Sequence, residues 1–174
     1  RPPWGASLPA ISVTNNNTGA KGELRLYSDH GSLELEQAKQ FMTVVNGEGE
    51  EKDTKLDTRL VQLAFRAAYH FKGAAMTIVS GTRKGADGKH GHGEALDFKL
   101  EGVSASELAR YVRSYPRAGV GIYTHPKTQY VHVDVREHSY HWNEASPPGV
   151  TLREQLLADP TREDREASYT AAKE

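Results

Sequence analysis

Along Asp57–Phe71 the apolar residues Leu60, Leu63, Ala64, Ala67, Ala68 and Phe71 recur at three- and four-residue spacing. That period lays an apolar stripe along one face and predicts the main core helix. Ser104 followed by Glu107 forms a capping box, and the helix it starts offers Leu108, Tyr111 and Val112 to the core. Elsewhere the period shortens to two. ELRLYS from Glu23 and SLEL from Ser32 flank the turn signal Asp29-His30-Gly31 and predict a hairpin. AMTIVS ending at Ser80, EALDFKL from Glu94, Gly119–Tyr123 and Tyr130–Val135 predict further strands, the last two separated by THPKTQ. The opening RPPWGASLPAISVTNNNTGA has scattered prolines, an Asn run and no sustained period, and reads as an extended arm or linker. VNGEGEEKDT reads as a loop, and NEASPPGV after Trp142 breaks regular structure. This order predicts an α+β fold with a small, mainly antiparallel sheet and two or more helices packed on it. The expected organisation is an N-terminal arm over 1–22, a domain over 23–142, and a polar tail over 143–174, helical in part.

Composition narrows the function. The chain has 174 residues with 22 basic and 23 acidic side chains, a formal charge of −1. No field of one sign favours nucleic acid or anionic lipid, so neither is an expected partner. No apolar run approaches the roughly 18 residues a membrane span needs. The absence of cysteine removes thiolate chemistry and cysteine metal sites, so any metal must be held by His and carboxylate. The sequence opens on Arg1 without an initiator Met, and removal of an upstream piece, with a secretory leader as one candidate, is the expectation.

Of the eight histidines, His90, His92, His132 and His138 fall in two strand-associated segments that also hold Asp97, Asp134 and Arg136. Hydrolytic zinc sites take three protein ligands of this type and leave a fourth position open for water. On a strand over 130–135, His132 and Asp134 share one face while Val131, Val133 and Val135 share the other. The valines bury and the polar pair faces a site. His30, His70, His125 and His141 read as solvated side chains.

The run His90-Gly-His-Gly93-Glu-Ala95-Leu-Asp97 resembles the His-x-x-Gly-x-Ala-x-Asp motif of the D-alanyl-D-alanine metallopeptidase group, zinc peptidases that cut peptidoglycan peptides. Ser80-Gly-Thr-Arg83 is similar to the Ser-Gly-x-Arg segment that precedes the motif in that family. Gly119–Tyr123, Tyr130–Asp134 and the closing Trp142 resemble its murein endopeptidase K-like branch, as does the early ELRLYSDHGSLEL. The resemblance implies a fold like that group and like the Hedgehog signalling domain. It implies Zn2+ held by His90, Asp97 and His132, and it places Arg83 at the substrate carbonyl or carboxylate. Ser80, Tyr130 and His92 are the further substrate-binding candidates, and Tyr123 joins Tyr130 as a groove candidate.

Many relatives carry an acid three residues before the last ligand histidine, and here Gln129 stands there. Asp134, on the same strand face as His132, is therefore the expected general base, with His92 as competitor. A role behind the metal ligand is the alternative for Asp134, and a structural pairing with Asp87 or Glu94 is the alternative for Arg83. Two functions follow: a zinc peptidase acting on peptidoglycan as endopeptidase or carboxypeptidase, or a non-catalytic zinc module that binds peptidoglycan or a protein. A periplasmic or secreted monomer is expected in either case.

Overall fold

The computed structural model describes residues 3–46, 56–81, 94–150 and 154–170. Its strands are β1 (Ile11–Asn15), β2 (Lys21–Leu24), β3 (Met76–Ser80), β4 (Ala95–Leu100), β5 (Ala118–Tyr123), β6 (Tyr130–Val135), β7 (Tyr140–Glu144) and β8 (Gln155–Leu156). They form one sheet in the order β2-β1-β3-β4-β6-β5-β7-β8. Only β1 with β3 and β5 with β7 run parallel among these pairings, so the sheet is mixed and mainly antiparallel, as the α+β expectation requires.

The helices α1 (Leu35–Asn46), α2 (Thr58–His70) and α3 (Ala105–Val112) form a layer against the sheet, α1 on β1 and β2, α2 and α3 on β4 and β6. Asp57 starts α2 by accepting hydrogen bonds from the Arg59 and Leu60 amides at 2.8 and 3.3 Å. Ser104 and Glu107 close the predicted capping box on α3. Between the layers lie Val13, Leu24, Phe41, Leu60, Phe65, Ile78, Phe98, Leu108 and Val131, all buried. The Tyr115 hydroxyl donates to the Leu63 carbonyl at 2.8 Å and joins the end of α3 to α2.

Several expectations change. Where an extended arm is expected, β1 lies inside the sheet, with Ile11 and Val13 wholly buried. Asn15 ends that strand, itself buried; its side-chain amide donates to the Val44 and Val45 carbonyls at 2.9 Å each. Its Oδ1 accepts from the Asn17 and Thr18 amides, so one side chain both turns the chain and caps the last turn of α1. The predicted hairpin is also replaced. β2 pairs with β1, and of the pairing across Gly31 only the bridge Tyr27 to Leu33 forms. Leu35 then begins α1, whose buried Ala38, Phe41, Val44 and Val45 follow helical spacing. In the polar tail, β8 extends the sheet and a short helix α4 (Arg162–Ala167) follows. It is tied down specifically: Glu166 accepts from the Arg117 amide at 3.1 Å and from the Ser139 amide and hydroxyl.

Asn15→Ala strands two buried carbonyls and a turn in one step. It should lower unfolding free energy by about 1–3 kcal/mol, measured as a fall in the urea midpoint at unchanged slope.

Candidate active site

The register of the sheet aligns the candidate residues. Ser80 on β3 pairs with Asp97 on β4, Asp97 with His132 on β6, His132 with Gly121 on β5, and Gly121 with Trp142 on β7. One row crosses five strands. The adjacent row on one side is Ala95, Asp134, Gly119 and Tyr140, and on the other Tyr130, Tyr123 and Glu144. Alternation puts all three rows on the face opposite the valines that meet the helices.

Asp97, His132 and Asp134 are all buried. His132 Nδ1 stands 2.9 Å from Asp97 Oδ1, and its Nε2 stands 2.7 Å from Asp134 Oδ2. Arg136 closes the chain, donating from Nε to Asp134 Oδ1 at 2.6 Å and from Nη2 to Oδ2 at 2.5 Å. Burial opposes charge on His132, but the hydrogen bonds and charges of Asp134 and Asp97 outweigh it and hold the imidazole up at about 9. Burial likewise opposes ionisation of Asp134, and hydrogen bonds from His132 and Arg136 outweigh it, holding the carboxyl down at about 2. His132 thus stands between two carboxylates, one of which is neutralised from behind by a guanidinium.

Glycine makes the room. A Cβ on Gly119 would stand 2.4 Å from Asp134 Oδ2 and 2.5 Å from Arg136 Nη2. On Gly121 it would stand 2.5 Å from Cε2 of Trp142, a buried indole whose ring centroid is 5.0 Å from that of His132. Arg136 lies over Tyr140 and Trp142 at 5.5 and 5.8 Å. Tyr123 and Tyr130 stack at 4.4 Å. Burial, with help from Tyr130, Asp97 and Glu144, pushes the Tyr123 hydroxyl up, so it stays a neutral donor beside the row.

The structure therefore brings together Ser80, Asp97, Tyr130, His132 and Asp134 of the expected site residues. Arg83, His90 and His92 lie outside the described residues, in the segment 82–93 that links Gly81 to Glu94. Among the described residues no group of three or more His, Cys, Asp or Glu is arranged to hold a metal ion. The donor chemistry nevertheless fits zinc: a buried carboxylate and imidazole converge, and the second imidazole nitrogen is held by a carboxylate, the usual support of a ligand histidine. Sequence reasoning passed over Gly119 and Gly121, whose signal was a Gly-Val-Gly alternation matching His-Val-Asp on the next strand.

His141 departs from the solvated reading, whereas His70 is exposed as expected. His141 is buried on β7, and its Nδ1 accepts from Arg113 Nε at 3.0 Å. His70 stacks on Tyr111 at 3.8 Å.

Residues 83–142 match the family model Peptidase_M15_2, described as peptidoglycan L,D-endopeptidase MepK. The match spans 60 of 174 residues, 83 through 142 inclusive, and contains Asp97, His132, Asp134, Arg136 and Trp142. It supports a peptidoglycan peptidase related to the M15 peptidases. No curated protein and no solved structure matches the chain.

Two outcomes follow. Gly121→Ala should destabilise the fold by about 1–3 kcal/mol, and adding Trp142→Ala should recover much of that loss; additive losses in denaturant titrations would show that the indole is not the obstacle. Burial pushes His141 down to about 4, with Asp159 opposing and Arg113 assisting the shift. The unfolded chain binds that proton at about 6.5, so the contribution of His141 is whole above that pH and is lost as pH falls towards about 4. Melting temperature followed over this window should fall less steeply in His141→Gln than in the parent.

Proposed function

We propose that the chain is a zinc-dependent peptidase that hydrolyses peptide bonds in peptidoglycan, as an L,D-endopeptidase like the proteins its family match describes. The observation that supports this best is the buried pairing of Asp97 with His132, 2.9 Å apart, within the matched segment. Asp97 and His132 hold the metal together with His90, whose neighbouring Gly91 and Gly93 permit a tight turn. Zinc, when bound, supplies Lewis acidity for attack of water on the peptide carbonyl.

The remaining roles belong to the protein. Arg83 meets the substrate carbonyl with a fixed cationic fork, suited to a developing oxyanion. Ser80, at the β3 end of the central row, and Tyr130 with Tyr123, in one flanking row, contact the substrate in this reading. Asp134 is a positioning residue in this reading rather than the general base. It has no exposed surface, and both its oxygens are already bound by His132 and Arg136. A base must reach the attacking water, and a carboxylate held at about 2 has little affinity for its proton. His92 is then the candidate base, since an ordinary imidazole titrates near neutrality. A peptidoglycan substrate places the protein outside the cytoplasm. Among the described residues no helix is long and apolar enough to cross a membrane.

Digestion of purified sacculi by zinc-loaded protein, with chromatography and mass spectrometry of the fragments, tests the proposal; cleavage at L,D bonds is expected. A zinc-loaded protein that releases nothing would establish the non-catalytic module instead. His132→Ala should abolish stoichiometric zinc. Asp134→Asn should keep the fold but weaken zinc affinity about 10–100-fold, read by competition with a chromogenic chelator. Loss of turnover in Asp134→Asn at full zinc occupancy and unchanged affinity would restore Asp134 as the base.

A further inference from the structure

A second concave site lies on the helix side of the molecule, away from the three rows. Trp4, Tyr27, Arg66, Tyr69, His70 and Tyr111 are among its lining residues, and its volume is about 470 Å³, within the roughly 300–1,000 Å³ usual for small-molecule sites. Tyr27 belongs to the core and Tyr69 and Tyr111 pack against it, whereas Trp4, 57% exposed, is not needed to close it.

The exposed indole is held rather than free. Its ring meets Tyr27 edge-on with centroids 5.1 Å apart. Behind it lies Gly31, where a Cβ would stand 2.4 Å from Trp4 Cε2, and whose φ of +84° favours glycine on its own account. The short 3₁₀ turn Trp4–Ser7 that carries the indole is pinned by Arg25, which donates to the Gly5 carbonyl at 2.5 Å and the Leu8 carbonyl at 3.0 Å. His70 and Tyr111 add a second flat surface, their rings stacked at 3.8 Å and 9°. The lining also carries polar side chains, Arg66 and His70 beside the three tyrosines.

We propose that this cavity binds a sugar ring of a glycan chain, with Trp4 as the stacking platform and Arg66 facing a carboxylate substituent. A rigid aromatic plane accepts the axial C–H face of a pyranose, while ring hydroxyls require hydrogen-bonding groups at the rim. A wholly apolar partner would offer nothing to the polar side chains Arg66 and His70 in the lining. The cavity is open to one side, as a polymer requires, and aromatic rings with few rotatable bonds bind at low entropic cost. The choice of glycan rests on the peptidoglycan reading; the binding chemistry does not.

The chain has two tryptophans, so in Trp142→Phe the indole of Trp4 is the single tryptophan fluorophore, excited selectively at the red edge of its absorption. Titration of that variant with a β-1,4-linked N-acetylglucosamine oligomer, and with glycan strands stripped of their peptides, should give a saturable change in Trp4 emission. In the otherwise unaltered protein, calorimetry should show Trp4→Ala weakening glycan binding about tenfold or more, and Trp4→Tyr retaining part of it. Trp4→Ala should also slow digestion of intact sacculi while leaving cleavage of sugar-free cross-linked peptides unchanged. No saturable response to either glycan, saturation by a free stem peptide instead, or unchanged affinity in Trp4→Ala overturns the proposal. If the protein cleaves no peptide at all, the titrations still decide the glycan site independently.

Discussion

Everything in this domain hangs on the register of β6 between β4 and β5. Side chains on a strand alternate with period two, so one hydrogen-bond ladder fixes what both faces present. Val131 and Val133 seal the helix layer; His132 and Asp134 turn the other way and meet Asp97 and the space above Gly119 and Gly121. A slip of one residue would drive a histidine and an aspartate into the hydrocarbon core and expose the valines. The energy that buries the core therefore also sets the spacing of the polar centre, and the site needs no separate scaffold.

The polar centre survives burial because its charges are balanced locally. Asp97 and Asp134 flank one imidazole, and Arg136 brings a positive charge to Asp134 from the edge of the sheet. Truncating one member would leave its partners unmet in the interior, which costs far more than an isosteric exchange of amide for carboxylate. Asp134 lies at the middle of this balance. Its oxygens are already committed, and the residue sits behind the imidazole instead of beside open space.

Much of this was legible in the sequence where the pattern was strong and local. The stripe on α2, the box at Ser104 and the alternation of β6 each have one reading, and the polar side of β6 pointed to the site directly. The failures share a cause: their evidence is tertiary. β1 looks like an arm because its partner β3 is parallel and distant in the chain. SLEL mimics a strand because two leucines alternate, although Leu35 begins a helix whose stripe appears only over the next turns. β7 carries a histidine and a tryptophan that no period marks, yet His141 is buried because Arg113 reaches it from the end of α3. Asp97 and His132 are separated by 35 positions, and only motif resemblance joined them before the register did. Arg83, His90 and His92 lie outside the described residues, and their roles rest on the sequence.

The small strand β8 has a bearing on how the protein is best handled. Leu156 and Gln155 pair with Trp142 and Asn143, and so cover the outer edge of β7, the strand that carries the site tryptophan. A fragment trimmed to the matched segment, ending at Trp142, would lack that cover and leave β5 as the last complete strand on that side. Unpaired edges recruit strands from other molecules. The polar tail thus covers a sheet edge that would otherwise be open, and the folded unit extends at least through Glu166, whose carboxylate fastens it to Ser139.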